Sequence, residues 1–547
     1  MSELPSSFRS LKSLVHLDLS GCRRIDCLDE ALAGLSNLQH LNLQGTCIML
    51  LPENVTKLRY LNVSGHITMA EGTIDNLINY ICSNLSNLEH LDLSRNLMGS
   101  IPESICNLRK LHTLNLANCS FLKIPSSIDT MDSLKFLDLN GCWGIIKGPQ
   151  LGSSAISLPH FVVKPGDDGH SSSNLVLLQH IDPVKLNLTE LENVKSVEEA
   201  QCINLMGKKK LEDLTLEWTR DAGRFVDHKI LLENLVPPST LKKLDIRGYR
   251  CVSFPAWLVL DQLPNLEHLI LRDMANLEDW TTSHSSGEQH VLAQLKIHDC
   301  PMLRIKPLPA KAREWVVLNS DNVLSSWEEC IGPHTNATSS FSHVTTMLSV
   351  ENCNVPLHQW SLLEHFPGLA YLHIKSSVDL TGSPEVIQHL SSLKTLKLQD
   401  KYLEELPKWL NENMWQLTRL ELIDCKNMAS LPHWLGELTS LKELFLLNCD
   451  VLCSLPESIQ QLTRLENLKI WGCPELNHLG ERVCLLPSSL EHLQIWNCNG
   501  IKCLPEGMEQ LTNLQTLDIY DCPDLKKWCE IEENMMKLAH ITDMEIE

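Results

Sequence analysis

LTRLELIDC (417–425), LKELFLLNC (441–449), LENLKIWGC (465–473), LEHLQIWNC (490–498) and LQTLDIYDC (514–522) are five copies of one pattern, L-x-x-L-x-L-x-x-C. Their inner leucines, Leu420, Leu444, Leu468, Leu493 and Leu517, follow one another at a near-constant step. Such a step marks a stacked array, not one compact core. Successive residues of x-L-x-L-x point to opposite sides of an extended chain, so each copy predicts a short strand with its leucines on one side. One copy cannot bury those leucines alone; its neighbours must do so.

The pattern continues outward from that run. Toward the N-terminus it reads LVHLDLSGC (14–22), LQHLNLQGT (38–46), LRYLNVSGH (58–66), LEHLDLSRN (88–96), LHTLNLANC (111–119) and LKFLDLNGC (134–142). In the middle it reads LEDLTLEWT (211–219), LKKLDIRGY (241–249), LEHLILRDM (266–274), LAQLKIHDC (292–300), LAYLHIKSS (369–377) and LKTLKLQDK (393–401). Between the strands recurs a proline step, as in LPENV (51–55), IPESI (101–105), LPHWL (431–435) and LPESI (455–459). Proline fixes φ and opens a turn or short helix, so the chain is expected to return in loops and short helices. The fold class expected is an α/β solenoid, a leucine-rich-repeat horseshoe with a parallel concave sheet and convex loops.

Breaks in the pattern suggest five segments. Regular repeats occupy 1–142, and a Gly/Ser/Pro-rich stretch at 143–183 reads as an irregular insertion. Middle repeats occupy 184–301, with a polar insert at WTTSHSSGEQH (280–290). Residues 302–347 hold a degenerate unit around EWVVLNSDN and a polar tract, and 348–547 return to regular repeats with a closing strand.

Composition narrows the function. The 547 residues carry a net charge of −22, which argues against a sequence-independent grip on nucleic-acid phosphates and against a polybasic membrane anchor. The opening MSELPSSFRSLKSLVHLDLSGC has neither the charged start nor the apolar run of a secretory signal, and no long uncharged apolar stretch predicts a membrane span. Twenty-one cysteines in such a chain are expected as free thiols in a cytoplasmic setting.

LPHFVV (158–163), TELENVKSVEEAQCINLMGKKKLEDLTLEW (189–218) and YRCVSFPAWL (249–258) resemble the leucine-rich-repeat region of plant NLR disease-resistance proteins of the coiled-coil class. The Cys-Pro steps CPML (300–303), CPEL (473–476) and CPDL (522–525), and the end MMKLAHITDMEIE (535–547), are similar to the same family. The resemblance implies a role in plant defence: recognising a pathogen effector or a guarded host protein, or restraining a nucleotide-binding switch. No G-x-x-x-x-G-K-[ST] phosphate loop occurs, so nucleotide binding does not carry over. Two other classes remain open at this point: a general intracellular scaffold, or a receptor ectodomain, since LMGSIPESI (97–105) resembles a plant extracellular repeat once.

Candidate sites follow from position in the repeat. Cys22, Cys119, Cys142, Cys300, Cys353, Cys425, Cys449, Cys473, Cys498 and Cys522 end the strand motif, where a small side chain is expected to pack and cap backbone groups. No zinc spacing recurs, and no Ser/His/Asp or Cys/His grouping is recognisable, so catalytic residues, metal and cofactors are expected to be none. His16, His40, His90, His268 and His492 each precede a strand leucine and are expected to face solvent. Asp18, Asn42, Asn62, Asp92, Asn115 and Asp138 lie between leucines and are expected to hydrogen-bond along the sheet. The position after L-x-L becomes Arg247 and Arg272 in the middle, and Ile423, Leu447, Trp471, Trp496 and Tyr520 toward the end, with Phe445 beside them. These eight residues are the expected protein-binding surface, because aromatics in line favour an interface. Lateral stacking between neighbouring strands is the competing explanation.

Overall fold

The computed structural model describes residues 4–547 except 24, 26–27, 29–31, 48–49, 53, 66–72, 97, 99, 120–124, 126–127, 129–130, 139–156, 165–171, 181, 220–224, 282–290, 307–310, 326–343, 376–378, 381–383, 478 and 480–485. It divides into two compact units, Met1–Arg272 and Asp273–Glu547.

The first unit stacks β1 (His16–Asp18), β2 (His40–Asn42), β3 (Tyr60–Asn62), β4 (His90–Asp92), β5 (Thr113–Asn115), β6 (Phe136–Asp138), β7 (Ser157–Val162), β8 (Lys185–Thr189), β9 (Asp213–Glu217), β10 (Lys243–Arg247) and β11 (His268–Arg272). Each pairs in parallel with the next, and equivalent leucines face one another: Leu41 meets Leu17 and Leu61, and Leu244 meets Leu214 and Leu269. Leu41, Leu61, Leu91, Leu114 and Leu137 are fully or almost fully buried. Burying each such side chain contributes roughly 1.5–3 kcal/mol, which one repeat cannot obtain alone.

The second unit stacks β13 (Leu292–His298), β15 (Ala312–Leu318), β16 (Met347–Glu351), β17 (Tyr371–Lys375), β18 (Thr395–Gln399), β19 (Arg419–Ile423), β20 (Glu443–Leu447), β21 (Asn467–Trp471), β22 (His492–Trp496), β23 (Thr516–Tyr520) and β24 (Asp543–Ile546), again in parallel. A separate parallel pair joins β12 (Asp279–Thr281) to β14 (Arg304–Lys306). Two rows of apolar side chains line the inner side, one through Leu420, Leu444, Leu468, Leu493 and Leu517, the other through Leu422, Leu446, Ile470, Ile495 and Ile519. All ten are buried.

The proline steps behave as their chemistry dictates. Pro102, Pro432 and Pro456 each stand immediately before a 3-10 turn (Glu103–Asn107, His433–Glu437 and Glu457–Gln461). The residue before each terminal cysteine takes a left-handed φ: 52° at Asp424, 55° at Asn448, 65° at Gly472 and 51° at Asn497 and Asp521. Only glycine, asparagine and aspartate enter that region readily, which explains the D/N/G that precedes the cysteine.

Three segments differ from the sequence expectation. Within 143–183, expected as an irregular insertion, Ser157–Val162 forms β7 and pairs with β8. The register slips between Leu158 and Phe161, with Pro159 inside the slip, so L-P-H-F never shows the L-x-L signature. The polar insert at 280–290 begins as strand, since Trp280 is buried in β12 opposite Ile305; residues 282–290 lie outside the described residues. The degenerate unit at EWVVLNSDN is a full strand, β15, whose Trp315 occupies a leucine position opposite Leu295 and Leu348. The step from Leu295 to Trp315 is shorter, and that from Trp315 to Leu348 longer, than the steps of the late run, which hides this strand from a constant period.

One buried cation gives the first unit a pH signature. Lys208 is buried, and its Nζ donates to the Leu178 carbonyl at 2.8 Å. Burial pulls its pKa down from 10.5 to about 8, with Asp182 opposing the shift. Between those values the unfolded chain holds the extra proton, so stability rises with pH across the window, and below it the buried ammonium carries its full cost. Denaturation at a series of pH values is expected to show the wild type gaining about 2–3 kcal/mol on Lys208→Met from pH 8 to 10.5. Parallel stability curves for the two proteins contradict this.

Candidate protein-binding face

In both units the leucines of x-L-x-L-x point inward, and the alternate residues form the open face of the sheet. On that face strand register converts a sequence position into a row. Ile423 meets Leu447, Leu447 meets Trp471, Trp471 meets Trp496 and Trp496 meets Tyr520. Neighbouring strands lie ~4.8 Å apart, so this apolar row runs roughly 20 Å. Trp471 and Tyr520 remain 45% and 48% exposed.

Side-chain geometry fixes the row. The Trp471 and Trp496 rings meet edge to face with centroids 6.1 Å apart, and Trp496 and Tyr520 lie tilted at 6.4 Å. Lys469, one position inward on the same face, holds its Nζ 4.4 Å from the Trp496 ring centre. Phe445 lies beside the row under the Arg419 guanidinium, at 4.5 Å. Arg419 also pairs with Glu421 at 2.6 Å and Glu443 at 2.7 Å, so the polar neighbours of Phe445 are held in place. The Trp496 indole N–H is shielded from solvent and has no hydrogen-bond partner. Stacking therefore accounts for how the rings are positioned, yet it leaves two of the three large aromatics about half exposed.

Arg247 and Arg272 stand adjacent in register in the first unit. Both reach Asp245, a side chain that is almost fully buried, at 2.7 Å and 3.6 Å, and Arg247 also reaches Glu217 at 3.4 Å. Their charges are thus already met within the sheet. The signal lay in the sequence: Asp245 precedes Arg247 by two positions and so faces the same side.

Four of the six polar residues of the first block hydrogen-bond along the sheet as expected. Asn42 donates to Asp18 and Asn115 to Asp92, both at 3.0 Å. Asp18, Asn62, Asp92 and Asn115 also accept from the backbone N–H two positions on, at 2.8–3.0 Å. Beside them runs a stack that sequence reasoning did not find: His16 on His40 with centroids 4.1 Å apart, then Tyr60 at 5.9 Å from His40. Strand alternation places these histidines on the solvent side, but their mutual contact follows only from register.

The terminal cysteines pack and cap as their position suggested. Cys119, Cys473 and Cys522 donate to carbonyls of the preceding repeat (Leu93, Leu446 and Ile495) at 3.3, 3.7 and 3.5 Å. Asn96 performs the same task with better donors, reaching Val63 and Leu93 at 2.9 and 2.8 Å. Burial pushes the Cys119 thiol up to about 11 and Cys300 and Cys353 to about 12, which keeps them protonated and inert. Every described cysteine is free, and Cys142 lies outside the described residues. Among the described residues no cluster of three metal-ligating side chains occurs, and no helix is long and apolar enough to cross a membrane.

A parallel stack of short strands with two inward leucine rows and a turn-and-return path defines a leucine-rich-repeat protein. The repeats match the R13L1/DRL21 leucine-rich-repeat model over residues 173–300 and 383–449, and the general leucine-rich-repeat model over 87–108 and 110–131. The chain is 30% identical over 241 residues to the putative disease resistance protein RGA1 of Solanum bulbocastanum, covering 41% of this chain and 24% of that protein. It is 36% identical over 161 residues to the TMV resistance protein N of Nicotiana glutinosa, covering 27% of this chain and 13% of that one. The chain thus matches a quarter or less of the length of these relatives. Among solved structures, the mouse RP105/MD-1 complex aligns over all of this chain and 77% of its own with a TM-score of 0.50 at 15% identity, which supports the fold. The resemblance to the repeat region of plant disease-resistance proteins holds on both the family models and the relatives.

Proposed function

We propose that this chain is a non-catalytic, cytoplasmic protein-binding region of plant defence, and that the row Ile423–Leu447–Trp471–Trp496–Tyr520, with Phe445, is its principal contact surface. The partner is a pathogen effector or a host protein that such an effector alters; restraint of a nucleotide-binding switch is a further role of the same kind. The observation that carries this reading is a built row of aromatics in consecutive register on the open face, with Trp471 and Tyr520 about half exposed. Trp and Tyr concentrate binding energy at interfaces, and a contiguous exposed apolar strip is costly unless covered. The relatives, named for disease resistance, supply the biological setting. Arg247 and Arg272 enter as a secondary polar contact, since their guanidiniums are engaged by Asp245 and Glu217.

The test is a quantitative binding assay with an effector or host protein captured by the wild-type chain, repeated with Trp471→Ala/Trp496→Ala/Tyr520→Ala. Loss of binding by a variant that retains its circular-dichroism spectrum supports the assignment. Undiminished binding removes it.

A further inference from the structure

The electrostatic surroundings of the aromatic row change along its length. On the open face of β19, β20 and β21 the charges balance, with Arg419 and Lys469 against Glu421 and Glu443. On β22, β23 and β24 they do not. Strand alternation puts His492, Gln494 and Trp496, then Thr516, Asp518 and Tyr520, then Asp543 and Glu545 on that face. The Glu547 N–H donates to the Ile519 carbonyl at 2.9 Å, which extends the ladder by one residue and sets Glu547 beside Tyr520. This end of the row therefore holds four carboxylates, Asp518, Asp543, Glu545 and Glu547, and no lysine or arginine.

The carboxylates are not neutralised within the chain. Asp518 accepts from the neutral Gln494 amide at 2.8 Å, and among the described residues none of the four is paired with a cation. Lys469, two strands from Asp518 in the same row, lies over the Trp496 ring at 4.4 Å. His492 is held by Thr516, whose Oγ1 is 2.7 Å from its Nδ1. The connection from β23 to β24 (521–542) carries five carboxylates against three lysines, so it supplies no excess of cations. Asp518 and Glu545 stand directly opposite in register, and like charges so placed destabilise a sheet unless a cation joins them.

The same sheet shows what such a set of groups accepts. The Arg419 guanidinium lies 4.5 Å from the Phe445 ring centre and pairs with Glu421 at 2.6 Å and Glu443 at 2.7 Å. One ring and two carboxylates on adjacent strands thus hold one guanidinium. Tyr520, with Asp518 on its own strand and Glu545 and Glu547 on the next, repeats that set without an arginine, and its ring is 48% exposed. A guanidinium suits it because the planar group stacks on a ring and donates in a fork to carboxylates, whereas an ammonium offers a point charge.

Taking the aromatic row as the contact surface, we propose that its β22–β24 end seats an arginine side chain of the protein partner, stacked on Tyr520 and paired with Asp518, Glu545 and Glu547. Apolar residues beside that arginine cover Trp471 and Trp496. The partner is basic at this contact, and the phosphates of nucleic acid are repelled from it.

Isothermal titration of the full chain with N-acetyl-Leu-Phe-Gly-Arg-amide, and with the same peptide carrying Gln or Glu in place of Arg, tests the seat. The arginine peptide is expected to bind about tenfold tighter than the glutamine peptide, the scale of one ring contact plus one exposed ion pair, and the glutamate peptide weakest. Asp518→Asn/Glu545→Gln/Glu547→Gln leaves the leucine rows untouched; with an unchanged circular-dichroism spectrum, it is expected to erase the preference for arginine and keep the affinity for the glutamine peptide. Absence of saturable binding by the arginine peptide, equal affinity for the arginine and glutamine peptides, or a preference that survives in the triple variant overturns the arginine seat. Trp471→Ala/Trp496→Ala separates this failure from failure of the row. Weaker binding of all three peptides by that variant keeps the row even where the arginine preference fails, and undiminished binding removes the row and the seat together.

Discussion

Trp496→Ala is expected to weaken partner binding about 30-fold or more, a cost of ~2 kcal/mol or above. Trp496 is the middle of the three aromatics in the row, touching Trp471 on one side and Tyr520 on the other, with Lys469 over its face. Truncating it removes its own contact with the partner and frees both neighbouring rings, so binding suffers more than from truncating Trp471 or Tyr520 alone. Fold stability should change less. The aromatic pairs are worth ~0.5–1.5 kcal/mol each and the Lys469 contact ~0.5–1 kcal/mol, while the leucine rows beneath are untouched. Arg272→Ala serves as the comparison. Its guanidinium is met by Asp245, so a loss well below that of Trp496→Ala is expected. Equal losses for the two, measured by surface plasmon resonance on folded variants, contradict the assignment of the row as the main contact.

The largest effect on stability is expected at Trp315→Ala, a loss of about 3–5 kcal/mol. Trp315 is fully buried, lies between Leu295 and Leu348 in register, and packs its ring 5.4 Å from Phe366. The hole left by the indole sits where the inner row carries a tryptophan in place of a leucine, and both register neighbours are already packed in their own positions. In a stacked array each repeat leans on its neighbours, and the loss spreads to the adjoining strands. The indole N–H has no hydrogen-bond partner, so Trp315→Phe keeps a ring, loses nothing polar and is expected to cost far less. Urea denaturation of the three proteins checks this order. A Trp315→Ala protein within ~1 kcal/mol of wild type contradicts the packing described.

Strands with a constant step were legible in the residues. Ile423, Leu447, Trp471, Trp496 and Tyr520 fall in one row because each step between them spans one whole repeat. Where the step changes, periodicity fails. β7 escaped because Pro159 and a slip in register break the alternation. β15 was legible only as a degenerate unit because tryptophan and valine replace leucine, with a short step before the strand and a long one after it. The state of Arg247 and Arg272 is intermediate: strand alternation placed Asp245 on their side, but only register shows that it serves both.

The central claim, that the row on β19–β23 is the contact surface, is tested most directly by hydroxyl-radical footprinting of the chain alone and bound to its protein partner. Trp471 and Tyr520, at 45% and 48% exposure, are predicted to lose reactivity in the complex, while Trp415, at 67% exposure outside the strands, keeps it. Protection of Trp415 with Trp471 and Tyr520 still reactive contradicts the account.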